Sequence, residues 1–168
     1  MGWTFKLHGV LAGALSAVLL LAAAAPALPG ARGLMAAGLL LVLSLGVAAM
    51  VRSMRAGATR RLQWLAFRCL PGAVQGALAA LLLAGAVLVG LSGTGDMQDP
   101  QIVDGRYSVF DTSALTRVRV EVSREQYESV ASGERRLFLV LPAILLAATA
   151  GLALTAGELR RGEARTAA

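Results

Sequence analysis

The chain has 168 residues, of which 57% are hydrophobic, and carries a formal net charge of +6. So apolar a composition excludes an average soluble domain, and the length leaves room for one membrane domain with a small appendage. One cysteine excludes an intramolecular disulfide, and one histidine excludes a histidine-rich metal site. The positive charge is mostly arginine in short loops beside apolar segments, which favours anionic lipid headgroups over nucleic acid as the partner.

Four apolar stretches contain no Asp, Glu, Lys or Arg and are long enough to cross a bilayer. A hydrocarbon core of about 30 Å needs roughly 20 helical residues. The stretches are Leu7–Ala25, Leu34–Val51, Leu70–Leu91 and Leu137–Leu154. They predict an all-α membrane protein with four transmembrane helices, divided into residues 1–91, an outer α/β segment 92–136, a fourth helix 137–157 and a tail 158–168.

The first stretch has two interpretations. A secretory signal peptide would have Lys6 in its basic region and a cleavage site at Ala25-Pro26-Ala27. Its 19 apolar residues exceed the roughly 7–15 of such a peptide, which favours an uncleaved helix. Pro26 and Pro29 then end this helix, and the short connector makes the first two helices antiparallel.

The loop after the second stretch is strongly basic and contains no acid. Its arginines are Arg52, Arg55, Arg60, Arg61 and Arg68. Since cytoplasmic loops hold the excess of Lys and Arg, this loop and both termini are predicted to be cytoplasmic, with residues 92–136 outside. Arg135 and Arg136 are positive residues in the predicted outer segment and count against this orientation. Acidic residues lie among the outer arginines, however, whereas the loop after the second stretch has none, so that loop decides the orientation. The preference for arginine over lysine is typical of GC-rich bacterial genomes, so we expect a bacterial cytoplasmic (inner) membrane.

Residues 60–69 of the basic loop predict a short helix on the membrane surface. Trp64 and Phe67 are the amphipathic aromatics expected at headgroup depth, and the loop arginines add attraction to anionic lipids. We therefore expect Trp64 and the loop arginines to anchor the chain to the membrane surface. His8 is expected at the same interface, with its ring directed towards the headgroups.

The outer segment begins with a Gly-, Ser- and Asp-rich stretch, Ser92–Asp99, which predicts a flexible linker. Arg106–Phe110 and Leu115–Val122 are predicted as the two strands of a β-hairpin, because valines alternate with charged residues in the second run. Ser123–Gly133 is predicted as a short helix, which a capping box begins and the glycine ends. The residues expected to contact a partner are Tyr107, Val118, Val120 and Tyr127.

Three motifs of the outer segment resemble those of small uncharacterised bacterial four-helix integral membrane proteins. They are Asp104-Gly105-Arg106-Tyr107, then Glu121-Val122-Ser123-Arg124-Glu125-Gln126-Tyr127, then Arg136-Leu137-Phe138. In that group a "GKYY"-like strand leads to an "IS-x-x-EY" helix start and an "RLF" start of the last helix. The resemblance covers about 35 residues, and Leu139–Pro142 stands where many of those proteins have Ser-Gly-His-Trp. It implies an architecture and no particular chemistry.

Small residues spaced four apart predict close helix–helix contacts, within the chain or between chains. They are Gly9 and Gly13 in the first stretch, Gly72, Gly76, Ala80 and Ala84 in the third, and Ala143, Ala147 and Gly151 in the fourth. The sequence has no nucleophile–base set, phosphate-binding loop or metal-ligand spacing. We therefore expect no catalytic, cofactor or metal site.

Two functions remain open. The first is interaction, as an accessory, scaffold or sensor-like subunit whose outer segment contacts a protein partner. The alternative is an oligomeric pore or transporter for a neutral or lipidic substrate, formed around Gln75 in the third stretch. The structural interpretation of Gln75 is a hydrogen bond to a neighbouring helix. A membrane enzyme ranks last.

Overall fold

The computed structural model describes residues 3–25, 31–55, 57, 59–93, 95–113 and 118–166. In these ranges the elements are α1 (Trp3–Ala24), α2 (Ala31–Arg55), α3 (Arg60–Arg68), α4 (Gly72–Leu91), β1 (Met97–Val103), β2 (Arg106–Asp111), β3 (Val118–Glu121) and α5 (Arg124–Thr166). Four helices of the described part, α1, α2, α4 and α5, are long and apolar enough to cross a membrane, as predicted. Residues 26–30 and 114–117 lie outside the described ranges, and with them most of the predicted cleavage site and the start of the second predicted strand.

The bundle core lies between α1 and α5, and α5 packs against each of the other helices. One polar contact crosses this core, since the buried Ser16 hydroxyl donates to the Ala143 carbonyl oxygen at 2.8 Å. A buried hydroxyl needs such an acceptor, because an unpaired polar group is costly in an apolar interior. The core residues are Ala12, Leu19, Leu20, Ala23, Leu78, Leu139, Val140, Ala143, Leu146 and Ala150.

One end of the bundle is rich in arginine, and we call it the basic end. There the ring of Phe5 lies beside two guanidinium groups, those of Arg52 and Arg160, each 5.4 Å from the ring centroid. Phe5 also packs on Gly157, where an added Cβ would lie only 2.9 Å from the Phe5 Cβ. The start of α1, the end of α2 and the last turns of α5 therefore meet at the basic end.

The opposite end carries the sheet, and we call it the sheet end. Two arginines of α5 donate there to the last carbonyl groups of other helices. Arg135 Nη2 donates to the Ala25 oxygen at 3.2 Å, and Arg136 Nη1 donates to the Leu91 oxygen at 2.9 Å. Cations are favourable at helix C-termini, where carbonyl groups lack helical partners. It follows that α1 and α4 run towards the sheet end, whereas α5 runs away from it.

Helix α5 is continuous over 43 residues, or about 65 Å at 1.5 Å per residue. The prediction that a short helix ends at Gly133 is therefore wrong. A glycine inside a helix costs only about 1 kcal/mol relative to alanine, and Gly133 is buried by surrounding structure. The predicted divisions after residues 136 and 157 both fall within this single helix.

The sheet is antiparallel with the strand order β1-β2-β3. The predicted hairpin is present as β2 and β3, in which Val109 pairs with Val120 and Phe110 with Arg119. Strand β3 has the predicted period of two, with Val118 and Val120 on one face and Arg119 and Glu121 on the other.

The third strand was not predicted, because its residues were assigned in part to a flexible linker. Strand β1 begins at Met97 and pairs with β2 through a tight turn in which Asp104 and Gly105 have φ of 51° and 77°. Positive φ at both central residues is typical of a two-residue hairpin turn, and Asp-Gly is a preferred sequence there. A bulge at Asp99 and Pro100 interrupts the alternation of β1 and hides the strand from a pattern search.

Candidate functional site

The predicted partner-binding residues of the sheet are mostly used in internal packing. Tyr107 of β2 contacts Tyr127 of α5, with ring centroids 5.0 Å apart. Val120 is half-buried opposite Val109, which is fully buried. Val118 alone among the four is exposed, with 51% of its surface accessible. The aromatic pair therefore attaches the sheet to α5, and Val118 is the member left accessible to a partner.

The face of the sheet that packs on α5 is apolar and extends beyond the helix. Ile102 pairs with Tyr107, and Val118 pairs with Asp111, so both belong to the face that carries Tyr107 and Val109. They lie on the two outermost strands and are 58% and 51% exposed. We call Ile102 and Val118 the edge pair. Ile102 was not among the predicted contact residues, although the Asp104-Gly105 turn signal could have indicated a strand before it.

The opposite face of the sheet is polar and cross-linked by charge. The Arg119 guanidinium lies 4.1 Å from the Phe110 ring centroid and forms an ion pair with Asp99 at 3.0 Å. The Asp99 N–H in turn donates to Glu134 Oε1 of α5 at 2.6 Å. A chain of contacts therefore runs from β3 across β2 and β1 to α5. This arrangement holds the sheet to the helix at a second point, besides the two tyrosines.

Four exposed charged residues of this region form two ion pairs. Arg106 Nη1 donates to Glu121 Oε1 at 2.8 Å, and this bond raises the pKa of Arg106. Within α5, Arg124 Nε donates to Glu128 Oε1 at 2.7 Å, which raises the pKa of Arg124. Such exposed pairs add little stability, so they fix local geometry more than they hold the fold together.

A polar hollow of about 400 Å³ lies between the start of β1, the end of β2 and the first turns of α5. On its rim the carboxylate of Asp111 accepts from the Ser113 N–H at 2.8 Å, and hydrogen bonding to Ser113 lowers the pKa of Asp111. Thr112 Oγ1 donates to the Asp96 carbonyl oxygen at 2.7 Å. Across the described residues, no group of three or more metal-ligating side chains is assembled.

His8 is buried in the basic end, and Arg52 beside it is half-buried. The role of Arg52 as a surface anchor stays a prediction. His8 is 8% exposed, and its Nε2 lies 3.1 Å from the Leu45 carbonyl oxygen. Arg52 Nη1 donates to His8 Nδ1 at 2.8 Å and its guanidinium lies over Phe5. The prediction that the His8 ring is directed towards headgroups is therefore wrong, because neighbouring helices supply its partners. Arg52 likewise packs α1 against α2.

The remaining predicted anchors are exposed around α3. Thr59 caps this helix, accepting from the Leu62 N–H at 3.4 Å, and the helix occupies the predicted residues. Trp64 stacks on Phe67 with ring centroids 5.9 Å apart, and 61% of Trp64 is accessible. The exposed arginines of this region are Arg55, Arg60, Arg61 and Arg68.

The small-residue positions of α1 face α5. A Cβ added at Gly9 would lie 2.5 Å from Leu154 Cγ, and one at Gly13 would lie 3.9 Å from the Ala150 Cβ. Gly9 therefore permits the close approach of these two helices. Ala143 and Ala147 of the predicted α5 stripe are buried in the bundle.

The predicted stripe of α4 is placed differently. Its members Gly72, Gly76, Ala80 and Ala84 are all exposed. A Cβ added at Gly72 or Gly76 would meet nothing within 4 Å, whereas one at Gly85 would lie 2.6 Å from Ile144 Cγ1. Helix α4 thus packs on α5 through a glycine outside the stripe, because the stripe lies on a different side of the helix.

Gln75 has a structural role in the described chain. Its Nε2 donates to the Leu70 carbonyl oxygen at 2.7 Å and to the Arg68 carbonyl oxygen at 3.3 Å. The Arg68 carbonyl group is the last of α3 and the Leu70 carbonyl group follows the helix, so neither has a helical partner. Gln75 therefore joins the start of α4 to the end of α3, which directly precedes it in the chain. Among the described residues it does not bond to α1, α2 or α5.

Between α1 and α4 lies an open apolar groove of about 1050 Å³, which we call the α1–α4 groove. Ala77 and Ala80 lie on its α4 side, with Gly13 and Ala17 on its α1 side. At the basic end the groove is bordered by charged residues, which are Lys6, Glu158 and Arg161. The groove was not predicted, since small residues spaced four apart indicate close helix packing as readily as an opening between helices.

Comparison with known proteins gives no match to any family model, curated protein or solved structure. The resemblance of the Asp104–Phe138 motifs to small bacterial membrane proteins stays a prediction.

Proposed function

We propose that this chain is a multi-pass integral protein of the bacterial cytoplasmic membrane that acts by interaction, as an accessory, scaffold or sensor-like subunit. The observation that carries the proposal is the unbroken α5. It begins beside the sheet at Arg124, forms the centre of the apolar bundle and reaches Arg160 at the basic end. A partner that binds the sheet would thus act directly on a helix that crosses the whole molecule.

The attachment of the sheet to α5 supports this proposal. The contact between Tyr107 and Tyr127 and the bond from the Asp99 N–H to Glu134 restrain the sheet at two points along the helix. Two separated restraints oppose rotation of the sheet about the helix axis. The edge pair, Ile102 and Val118, remains exposed and supplies apolar contact area for a protein partner.

The proposed orientation places the basic end in the cytoplasm and the sheet outside. The exposed arginines around α3 support it, because cytoplasmic loops hold the excess of positive residues. Arg135 and Arg136 at the sheet end donate to the helix C-termini at Ala25 and Leu91, which accounts for two cations on the outer side.

The orientation is tested with a Ser113→Cys variant, which we expect to react with a membrane-impermeant thiol reagent in whole cells. Labelling only after lysis would invert the orientation. Both measurements use a Cys69→Ser background, because Cys69 is exposed.

The interaction itself is tested by a photo-crosslinking amino acid at Val118. We expect a heterologous protein adduct of constant mass in intact cells, and loss of that adduct when Ile102→Asp removes apolar character from the other member of the edge pair. The same amino acid at Leu43 is the control, because Leu43 is exposed on α2, away from the sheet. Adducts that contain only a second copy of this chain would contradict the accessory role and favour the oligomeric pore.

A further inference from the structure

The α1–α4 groove combines a long apolar slot with a charged mouth. Its α1 side is lined from Phe5 to Leu21, which corresponds to about 24 Å of helix. Its α4 side is lined from Ala73 to Ala84, where alanines at 73, 77, 80 and 84 leave space that larger side chains would fill. The slot is therefore as long as most of one bilayer crossing and has the apolar lining that suits a hydrocarbon chain.

The mouth of the groove lies at the basic end and carries net positive charge. Lys6 is exposed there, and Arg161 Nη1 forms an ion pair with Glu158 Oε1 at 2.6 Å. Two cations and one acid leave an excess of one positive charge at the rim. Arg160, stacked on Phe5, lies on the next position of the same helix and adds to the positive potential.

We propose that the α1–α4 groove binds one anionic phospholipid of the bilayer, with an acyl chain along the slot and the phosphate at Lys6 and Arg161. The proposal rests on the insertion of the bundle into a membrane, as put forward under Proposed function. Basic pockets between transmembrane helices on the cytoplasmic side are a recurrent site for anionic headgroups. Both the apolar length and the position of the cations match such a ligand.

Charge favours a lipid over a second copy of the chain as the occupant. Two copies inserted in the same direction pair about an axis perpendicular to the bilayer, so the same residues of each copy lie at the same depth. Groove-to-groove pairing would bring Lys6 and Arg161 of one copy to the depth of their counterparts in the other. Like charges placed together disfavour such an interface. An anionic headgroup instead complements the mouth.

The headgroup part is tested on the purified full-length chain in detergent micelles by native mass spectrometry. Phosphatidylglycerol and phosphatidylcholine with identical acyl chains are the two probes. We expect one retained phosphatidylglycerol per chain and about tenfold weaker retention of phosphatidylcholine. The double variant Lys6→Gln with Arg161→Gln should remove this preference. Arg61→Gln is the matched control, because Arg61 is an exposed arginine outside the groove, and it should keep the preference.

The slot is tested by Ala77→Leu, which places a larger side chain inside the groove. Ala79→Leu is its control, because Ala79 is exposed on the same helix and does not line the groove. We expect the first variant to lose the retained lipid and the second to keep it. Equal retention of both lipids by the unmodified chain, or an undiminished adduct in Ala77→Leu, would overturn the proposal. A lipid-free dimer that Ala77→Leu converts to a monomer would do so too, since a second copy would then cover the groove.

Failure of this proposal is separable from failure of the proposed function. Extraction of the same variants from membranes with alkaline carbonate reports insertion alone. A chain that stays in the membrane pellet but retains no lipid contradicts only the lipid site. A chain released by carbonate contradicts the membrane protein itself.

Discussion

Arg52 Nη1 donates a hydrogen bond to Nδ1 of His8 at 2.8 Å, and the other ring nitrogen, Nε2, lies 3.1 Å from the carbonyl oxygen of Leu45. A guanidinium group has only donors and a carbonyl oxygen only accepts. This arrangement assigns the neutral tautomer of His8 with its proton on Nε2. The one histidine of the chain thus contacts two positions of α2 from α1.

Arg52→Gln is expected to destabilise the bundle by about 1–3 kcal/mol, because a charge-assisted hydrogen bond and a contact with the Phe5 ring are lost together. The measurement is the free energy of unfolding in mixed micelles titrated with a denaturing detergent. Arg55→Gln in the same last turn of α2 is the control, and its effect should stay within about 0.5 kcal/mol because Arg55 is exposed. Equal losses of unfolding free energy in the two variants would show that the hydrogen bond from Arg52 to His8 does not stabilise the bundle.

Gly85→Ala is expected to destabilise the bundle by about 1–2 kcal/mol, since the added methyl group would lie 2.6 Å from Ile144 Cγ1. The gain in helix propensity offsets part of this cost. Gly76→Ala, in the predicted stripe, should be neutral or slightly stabilising in the monomer, because its Cβ would meet nothing within 4 Å. The same unfolding assay compares the two. A larger loss at Gly76 than at Gly85 would refute the packing of α4 described above.

Arg136→Gln is expected to lower the free energy of unfolding by about 1–2 kcal/mol, because the last carbonyl of α4, at Leu91, loses a cationic donor. Amide hydrogen exchange in the last turn of α4 should become faster in the same variant. Arg124→Gln breaks only an exposed pair with Glu128 and should change stability by no more than about 0.5 kcal/mol. An unchanged rate of amide hydrogen exchange near Leu91 in Arg136→Gln would show that the bond from Arg136 to the Leu91 carbonyl group does not stabilise the end of α4.

The continuity of α5 is measured by a spin-label distance between residues 125 and 148, introduced as Glu125→Cys and Ala148→Cys in a Cys69→Ser background. All three positions are exposed. Twenty-three helical steps of 1.5 Å separate the two labels, so a narrow distribution near 35 Å is expected. A broad or much shorter distribution would restore the predicted break at Gly133, and with it a sheet that moves independently of the bundle.

The apolar helices could be predicted from the sequence because their signal is compositional and does not depend on their neighbours. The hairpin of β2 and β3 followed from the period of two in its second strand, and the surface helix α3 from its aromatic and basic residues. Strand β1 was missed because a bulge at Asp99 and Pro100 breaks the alternation on which such a prediction depends. The continuation of α5 through Gly133 was missed because tertiary packing outweighs a local propensity of about 1 kcal/mol.

The candidate surfaces were less accessible to sequence reasoning. Exposure of a residue depends on which elements pack against it. Tyr107 and Val118 lie on the same face of the sheet, yet Tyr107 is half-buried against Tyr127 and Val118 is exposed. Likewise Gly76 and Gly85 are equivalent in sequence, yet only the second lies against α5. The roles of Arg135 and Arg136 depended on where two distant helices end, which no spacing in the sequence reveals.

The length of α5 on the sheet side has a consequence for tolerated insertions. Each helical residue added between Glu134, which holds the sheet, and Arg135, which donates to the end of α1, turns the sheet by about 100° about the helix and shifts it by 1.5 Å along the axis. Only an addition of about seven residues, which makes two full turns, returns the sheet to the same orientation about the helix axis. The sheet can therefore be shifted along the axis of α5, with its orientation about that axis kept, only in steps of about 10 Å.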